Sequence, residues 1–341
     1  MKKLTVITTG GTIASVLKEG VFSVQEKGRE IDCAIQDTAE ALGYAVDILS
    51  PINKNSESIT PVDWLAILAA IDQACATDVD GVVVLHGTDT MPYTLAAAGC
   101  FSWAKRVCFT GAMIPSELAG SDASINLRAA MSFAVDSTYA HGAYLAFRSH
   151  GDNLSASILY AHEVKPLAFD EDCFHSLYNN VVARYTESGG LQGSNIDKHT
   201  CFPCLGEFVL PSQAELVASQ QQLAYIKLYP GIDLPTLQVV SQGRAVVVIE
   251  LYHSGTGPAS VDYGDLLRLL EASTDKPFFA LSAFPCKTIQ YPYASTQALI
   301  QAGGHVYGDL QPHCLYVLCL LMMAQGKQAN EIKVQLSAYQ L

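Results

Sequence analysis

The chain has 341 residues, a formal net charge of −13 at pH 7 and an apolar fraction of 50%. This length and composition predict two folded domains with large cores and exclude intrinsic disorder as the general state. The acidic balance argues against a nucleic-acid partner, because binding a phosphate backbone requires clustered Lys and Arg. The 10 cysteines are too sparse for a disulfide-stapled secreted domain.

No segment predicts a secretory signal or a membrane span. The apolar run after the two N-terminal lysines ends at Gly10, and the Leu315–Ala324 run is shorter than the roughly 18–20 residues that cross a bilayer. We therefore expect a cytoplasmic protein with reduced thiols and no membrane partner. Cys201 and Cys204 form a C-x-x-C pair without a second pair nearby, which favours two incidental cysteines over a zinc or redox motif.

Short apolar runs alternate with helical stretches in the first half of the chain. Runs that are apolar at consecutive positions predict strands buried on both faces of a parallel sheet. In chain order, these strands are Leu4–Thr8, Val82–His86, Val107–Thr110 and Ala143–Phe147. The predicted helices are Thr60–Cys75, Met91–Trp103 and Ile125–Tyr139, the first two with Pro in the first turn. The alternation predicts an α/β fold with right-handed crossovers.

A second alternation follows a stretch that is rich in Gly and Pro and has little periodicity. Its predicted strands are Ala224–Leu228, Ala245–Leu251 and Pro277–Leu281, and its predicted helices are Gly264–Ala272 and Ser295–Ala302. We expect a larger N-terminal domain with a mostly parallel sheet over residues 1–185. A linker over 186–220 and a smaller C-terminal α/β domain over 221–341 follow it.

Two of the predicted strands end in the same way, with Gly followed by Thr. The first is followed by Gly10-Gly11-Thr12 and the second by Gly87-Thr88-Asp89. Ligands bind beyond the carboxyl ends of parallel strands, and free backbone N–H groups in glycine-rich turns can hold an oxyanion. Two hydroxyls and a carboxylate there indicate nucleophilic hydrolysis, whereas the alternative is a pair of capped turns.

Competing catalytic motifs are absent from the sequence. It has no G-x-G-x-x-G dinucleotide fingerprint, no phosphate-binding loop, no G-x-S-x-G elbow and no H-E-x-x-H pair. We therefore expect neither a cofactor nor a metal. His86, at the end of an apolar strand, is predicted to be a hydrogen-bonded core histidine.

Residues 9–15 (TGGTIAS) and 85–91 (LHGTDTM) together resemble the two signatures of the bacterial-type L-asparaginases of the cytoplasmic kind. Segments 110–115, 121–127, 229–232 and 309–312 extend the resemblance over essentially the whole chain. It implies hydrolysis of L-asparagine to L-aspartate and ammonia, with the preference between asparagine and glutamine left open. It also implies a homodimer or homotetramer with active sites at the subunit interface.

The resemblance implies a catalytic role for four residues that match the family pattern. Thr12 is the expected nucleophile, which forms an acyl-enzyme that water then hydrolyses. Thr88 is expected to handle protons together with a lysine, and Asp89 to bind the α-amino group of the substrate. The lysine is assigned to Lys165, because the family places it nine residues before a Phe-x-Ser, here Phe174-His175-Ser176.

Five further residues are implied to bind the substrate. The backbone N–H of Gly11, with that of Thr88, is expected to hold the oxyanion. Ser56 and Glu57 match the segment that contacts the α-carboxylate, and Ala112 stands where the family offers a carbonyl to the leaving amide. Thr256 lies in a segment that a neighbouring subunit contributes, at a position where asparagine is common.

The chain departs from the family in the flap that follows the first strand. That flap usually carries a tyrosine that helps to activate the nucleophile, and here no tyrosine occurs between Thr12 and Tyr44. Two alternatives therefore stay open. One is the ammonia-releasing subunit of an archaeal-type tRNA-dependent amidotransferase. The net charge of −13 argues against it, and so does a first strand that begins near residue 4, because those subunits usually carry an extra N-terminal domain. The other is an asparagine- or aspartate-binding protein that has lost catalysis.

Overall fold

The computed structural model describes most of the chain. It covers residues 1–10, 30–116, 118–168, 170–193, 205–206, 209–259, 264–272, 277–282 and 293–340, and the backbone alone of 15–18, 21–24 and 29. Cys201 and Cys204, the C-x-x-C pair of the sequence, lie outside these residues. The chain divides into two compact units, Met1–Leu210 and Pro211–Leu341.

The first unit combines a large sheet, a small two-stranded ribbon and four helices within its described residues. The strands are β1 (Lys2–Thr8), β2 (Ser15–Lys18), β3 (Val21–Val24), β4 (Tyr44–Leu49), β5 (Gly81–Leu85), β6 (Arg106–Thr110), β7 (Gly142–Ser149), β8 (Asp152–Tyr160), β9 (Ala183–Thr186) and β10 (Gly190–Gln192). The helices are α1 (Arg29–Leu42), α2 (Pro61–Cys75), α3 (Met91–Gly99) and α4 (Ala123–Val135), with short 3-10 helices at Ser56–Ser58 and Ala161–Glu163.

The large sheet has the order β10-β9-β8-β7-β6-β5-β1-β4. Strands β4, β1, β5, β6 and β7 are parallel, whereas β8, β9 and β10 continue the sheet in antiparallel pairs. The predicted α/β class with a mostly parallel sheet is confirmed. Strands β2 and β3, which lie where the flap was expected, pair with each other in antiparallel fashion.

Both faces of the parallel region are covered by helices. Val83 and Leu85 belong to the core cluster that includes α1 and α4, while Val82 and Val84, on the opposite face, are also fully buried. Helices α2 and α3 pack against β1, β5 and β7. This double burial is the reason why the strands read as consecutive apolar runs.

Helices α2 and α3 begin within one residue of the expected position and α4 begins two residues earlier, at Ala123, whereas two of the three end earlier than predicted. Thr60 and Asp63 form a capping box ahead of α2, with Pro61 in its first turn. Helix α3 ends at Gly99, because the next residues pair elsewhere: Cys100 accepts a hydrogen bond from the Leu205 N–H at 2.7 Å. Helix α4 ends at Val135, since Asp136 has an extended backbone.

The second unit is a smaller α/β layer structure. Its strands are β11 (Leu223–Lys227), β12 (Val246–Glu250), β13 (Phe278–Ser282) and β14 (His305–Tyr307). Its helices are α5 (Gln213–Gln222), α6 (Leu234–Ser241), α7 (Asp265–Ala272), α8 (Ala294–Gln301), α9 (Pro312–Ala324) and α10 (Ala329–Leu336). The strands form one parallel sheet in the order β11-β12-β13-β14.

Two segments flagged by the sequence have regular structure. Residues 186–220, expected as a linker, contain β10 of the first sheet and most of α5. The apolar run Leu315–Ala324 lies in α9, most of which is buried. Among the described residues, no helix has both the length and the apolar character needed to cross a bilayer.

Candidate active site

The carboxyl ends of β1, β5 and β6 lie side by side at one edge of the large sheet. Thr8 pairs with Leu85, and Leu85 pairs with Thr110. The turns that follow these three strands therefore leave the sheet at the same level. This is the edge where an open parallel sheet places its ligands.

Thr9 fastens the first of these turns to the end of β5. Its backbone N–H and its hydroxyl both donate to the Leu85 carbonyl, at 3.1 and 2.9 Å. Thr9 is fully buried, so both hydrogen bonds are shielded from water. The segment that leads to Gly11 and Thr12 therefore starts from a fixed point; those two residues themselves lie outside the described part of the chain.

Gly10 makes room for another part of the chain. It has a φ of +99°, and a Cβ there would come within 2.4 Å of the Lys54 carbonyl oxygen. The Lys54 N–H in turn donates to the Thr9 carbonyl at 2.9 Å. At this position the glycine permits a close approach between two backbones, which brings the 54–58 segment to the site.

Ser56 and Asp89, predicted to bind the α-carboxylate and the α-amino group of the substrate, are in contact. The Ser56 hydroxyl donates to Asp89 Oδ2 at 3.0 Å, and the Thr90 hydroxyl donates to the Ser56 carbonyl at 2.7 Å. Ser56 is buried, whereas Asp89 is exposed and presents its carboxylate to solvent. Glu57 is exposed on the same 3-10 helix. Two segments more than 30 residues apart thus converge on one carboxylate.

An ion pair holds the segment that carries Ser56. Lys54 Nζ donates to Asp63 Oδ1 at 2.7 Å, and Asp63 Oδ2 accepts from the Thr60 N–H and hydroxyl. Burial raises the pKa of Asp63, but the hydrogen bonds from Lys54 and Thr60 outweigh it and hold that pKa below its usual value. The carboxylate therefore stays ionised and keeps both ends of the segment in place.

The His86 side chain holds the turn after β5 in place. It is fully buried, with Nδ1 at 2.8 Å from the Gly87 carbonyl and Nε2 at 2.9 Å from the Thr94 hydroxyl. Because a carbonyl can only accept, Nδ1 carries the proton and Nε2 accepts from Thr94. Burial lowers the pKa of His86 to about 4. The neutral imidazole, a hydrogen-bonded core histidine as expected, thus fixes the turn that contains the buried Thr88.

The third turn is shaped by two residues to which the sequence assigned no role. The Asp122 carboxylate accepts from the N–H groups of Met113 and Ile114 at 3.0 and 3.1 Å. Asn126 donates to the Gly111 carbonyl and to Asp122 Oδ2, both at 2.9 Å. Between these anchors lies Ala112, which is fully buried. The only signal for Asp122 and Asn126 is the family-like segment 121–127.

Lys165 follows the 3-10 helix at Ala161–Glu163, which packs against α3. Lys165 is partly buried, and its N–H donates to the His175 carbonyl at 2.9 Å. Within the part of the chain that the structure describes, its ammonium and the Thr88 hydroxyl do not form a hydrogen bond. The structure therefore holds the lysine-bearing segment beside the helix that follows Thr88 without joining the predicted pair.

Thr256 belongs to the second unit, in the turn after β12. Its carbonyl accepts from the Tyr252 N–H at 3.0 Å, and the Thr296 hydroxyl donates to the neighbouring Gly255 carbonyl at 2.7 Å. Of the predicted residues, the structure joins Ser56 to Asp89 and places Thr88 and Ala112 on turns at the same sheet edge. It leaves Lys165 unjoined to Thr88, and it places Thr256 in the other unit.

Because His86 is buried, we expect the stability of the first unit to fall in acid. Because its pKa falls from 6.5 to about 4 on folding, the unfolded chain binds a proton in this range that the folded chain does not. Stability from this group is full above pH 6.5 and is lost as the pH falls toward 4, by roughly 3 kcal/mol in total. We expect His86→Gln to flatten the fall in urea-unfolding free energy over this range.

The control for this measurement is His253→Gln, which changes an exposed histidine in the second unit. Its pH profile is expected to follow that of the parent chain. A His86→Gln chain that loses stability as steeply as the parent contradicts the assignment.

Comparisons with known proteins bear on this arrangement. The family model described as Asparaginase, N-terminal matches residues 3–193, more than half of the chain. The chain is 27% identical over 339 residues to the D subunit of glutamyl-tRNA(Gln) amidotransferase from Nanoarchaeum equitans, covering 97% of this chain and 81% of that protein. It is 26% identical over 342 residues to the D subunit of the same enzyme from Pyrococcus furiosus, covering 97% and 74%.

Solved structures of asparaginases share the fold. The L-asparaginase from Thermococcus kodakarensis superposes with a TM-score of 0.75 at 23% identity, over 98% of this chain and 96% of that one. L-asparaginase I from Vibrio cholerae gives a TM-score of 0.74 at 22% identity, with the same coverage. With the N-terminal family model spanning all three strand-end turns, this chain belongs to the asparaginase family.

Proposed function

We propose that this protein is an amidohydrolase that converts L-asparagine and water to L-aspartate and ammonia. The observation that carries the proposal is the Ser56–Asp89 hydrogen bond of 3.0 Å at the strand-end edge. It fixes the orientation of the exposed Asp89 carboxylate, which lies in the same turn as Thr88. Recognition of an amino acid requires such an oriented group. A carboxylate oriented in this way binds an α-ammonium group by a charge-assisted hydrogen bond.

The proposed reaction uses the residues that the family resemblance assigns to catalysis. In the first half, Thr12 Oγ attacks the side-chain amide carbon, and the N–H groups of Gly11 and Thr88 stabilise the oxyanion. The hydroxyl proton passes to the Thr88–Lys165 pair and from there to the leaving nitrogen, which departs as ammonia. Ala112 offers its carbonyl to the leaving amide. In the second half, water attacks the ester and releases aspartate.

Substrate orientation is assigned to Asp89, after β5, and to the 3-10 helix at Ser56–Ser58. Asp89 binds the α-amino group, and Ser56 with Glu57 contacts the α-carboxylate. Thr256 of a neighbouring copy completes the site in a homodimer or homotetramer. Because the flap carries no tyrosine, the base function falls on the Thr88–Lys165 pair alone.

The relatives also favour a second candidate function. Several of them are D subunits of glutamyl-tRNA(Gln) amidotransferase, at 26–27% identity over 97–98% of this chain. In that case the chain performs the same amide hydrolysis and delivers the ammonia to a partner protein. The two functions differ in the destination of the ammonia, whereas the first chemical step is shared.

The purified full chain is expected to release ammonia from L-asparagine. Thr12→Ala removes the nucleophile and is expected to reduce kcat by roughly 10³-fold or more. Thr77→Ala, which changes an exposed threonine on the first unit, serves as the matched control and should retain the parent rate. Stabilisation of the parent by asparagine without ammonia release above the Thr12→Ala level would identify a binding protein instead.

Ser56 is expected to act on substrate affinity. Ser56→Ala removes the donor to Asp89, and we expect KM to rise by about tenfold to a hundredfold with a smaller change in kcat. Ser58→Ala, on the same 3-10 helix but exposed, is the control and should leave KM unchanged. An unchanged KM in Ser56→Ala would contradict the proposal that the Ser56 hydroxyl orients Asp89 for substrate binding.

An independent asparaginase works without a partner. We expect the purified chain to elute as a homo-oligomer, to turn over asparagine at a rate that total tRNA does not change, and to form no complex with tRNA on gel filtration. Comigration with tRNA, or a large rate increase on adding a copurifying protein, supports the amidotransferase function. A monomeric active chain contradicts the interface role of Thr256.

A further inference from the structure

A second cluster of reactive side chains lies in the first unit, formed by residues to which the proposed hydrolysis assigns no role. His150, Cys173 and His175 line a pocket of about 280 Å³ beside the end of β7. His150, Asp172 and Cys173 meet there, with one nitrogen, oxygen or sulfur atom of each lying within 4.8 Å of the others. His150 Nδ1 is 2.8 Å from Asp172 Oδ1.

His175 offers a further donor near the sulfur, although it lies outside the group whose atoms are all within 4.8 Å of one another, so its side chain has to move to complete a tetrahedron. His175 Nε2 lies 3.7 Å from Cys173 Sγ, and His175 also lines the pocket. A tetrahedral zinc ion with bonds of about 2.0 Å to nitrogen and 2.3 Å to sulfur separates those two atoms by about 3.5 Å. The Cys173–His175 spacing already has the length of one edge of such a tetrahedron. The His150–Asp172 contact needs to lengthen by about 0.5 Å to match the same geometry.

The surroundings hold these donors in place. Arg148 Nη2 donates to Asp172 Oδ2 at 2.7 Å, and Arg148 Nε donates to the Asp172 carbonyl at 2.8 Å. This fixes the carboxylate through one oxygen and turns the other, Oδ1, toward His150. Phe174 packs edge-on against Phe147 of β7, with ring centroids 4.9 Å apart, which anchors the residues on either side. Ligands oriented by a second layer of contacts are typical of metal sites.

The burial pattern suits a bound cation, whereas the charges around the pocket are mixed, because Arg148 and Arg184 line it together with the two histidines. Cys173 is buried, whereas the His150 side chain is exposed, so the pocket has a closed sulfur side and an open entry side. Asp172 and a Cys173 thiolate balance the two positive charges of a divalent ion. Arg148 is already paired with Asp172 and Asn153. The Glu171 carboxylate, 3.7 Å from His175 Nε2, adds negative charge at the rim.

We propose that Asp172, Cys173, His150 and His175 form a zinc-binding site that ties the β7–β8 turn to the 171–176 segment. A mixed set of thiolate, imidazole and carboxylate ligands is one that Zn²⁺ prefers among common divalent ions. On binding, the Cys173 S–H bond breaks, its proton leaves to water, and the sulfur bonds the metal without any change of oxidation state. No sequence motif indicates this site, because position 150 is separated from 172–175 by strand β8.

The test uses the full chain, stripped of metal and titrated with Co²⁺ and then with Zn²⁺. The background carries Cys201→Ser and Cys204→Ser, which removes the C-x-x-C pair of the sequence. We expect one equivalent of Co²⁺ per chain, with visible bands of tetrahedral cobalt and a near-ultraviolet thiolate-to-cobalt charge-transfer band. Zn²⁺ should displace the cobalt, since the tetrahedral site favours zinc.

Variants identify the ligands. Cys173→Ser is expected to abolish the charge-transfer band, and His150→Asn to weaken Zn²⁺ binding about tenfold or more, the loss typical of residues that support a metal. Cys33→Ser and His253→Asn change an exposed thiol and an exposed imidazole elsewhere, and both should leave binding unchanged. Because the experiment measures metal binding, a negative result is independent of whether the chain hydrolyses asparagine.

Three results would overturn the proposal. The first is an octahedral cobalt spectrum without a thiolate band, which leaves His150–Asp172 as an ordinary surface ion pair. The second is a thiolate band that persists in Cys173→Ser. The third covers the case in which Cys173→Ser does not fold by circular dichroism: His150→Asn, which changes an exposed side chain, then decides, and unchanged Zn²⁺ affinity rejects the site.

Discussion

The Leu85 carbonyl accepts both donors of Thr9, and the rest of the candidate site depends on this doubly accepted hydrogen bond. It extends the pairing of β1 and β5 one residue beyond the last register pair, Thr8 and Leu85. Both residues are buried, so breaking the contact would leave polar groups without water to replace it. The turn toward Thr12 and the turn of Thr88 therefore start at one level of the sheet.

From that point the constraints form a linked network. Lys54 donates to Thr9, Thr90 donates to Ser56, and Ser56 donates to Asp89. The first hydrogen bond joins the turn after β1 to the segment before α2, and the other two join that segment to the turn after β5, so the three are positioned together. The cost of orienting Asp89 is met during folding, which leaves less ordering to be done when a substrate binds.

The sequence predicts the parts of the fold that are buried on both faces. Strands β1, β5, β6 and β7 are recognisable in the sequence because each contains apolar residues at consecutive positions. Helix α2 is recognisable because Pro61 follows the capping residue Thr60. Strands β4 and β10, which are half-exposed at the sheet edges, lack that signal, and so do the antiparallel β8 and β9. The glycine-threonine turns are visible in the sequence, and the parallel topology predicts that they meet at one edge of the sheet. The roles of Lys54, Asp122 and Asn126 are not predictable in this way, since their partners are set by tertiary contacts.

The position of the base is the most demanding part of the proposed chemistry. A buried carboxylate requires hydrogen bonds, and Glu163 obtains them from the Ser176 hydroxyl at 2.6 Å and the Asn180 amide at 3.0 Å. Together with the Lys165 N–H to the His175 carbonyl, these contacts fix the backbone from which the lysine extends. What the proposed pairing with Thr88 adds to this fixed backbone is the ordering of one long side chain. Four rotatable bonds give that side chain its reach, and ordering them costs about 2 kcal/mol at most, which substrate binding can supply.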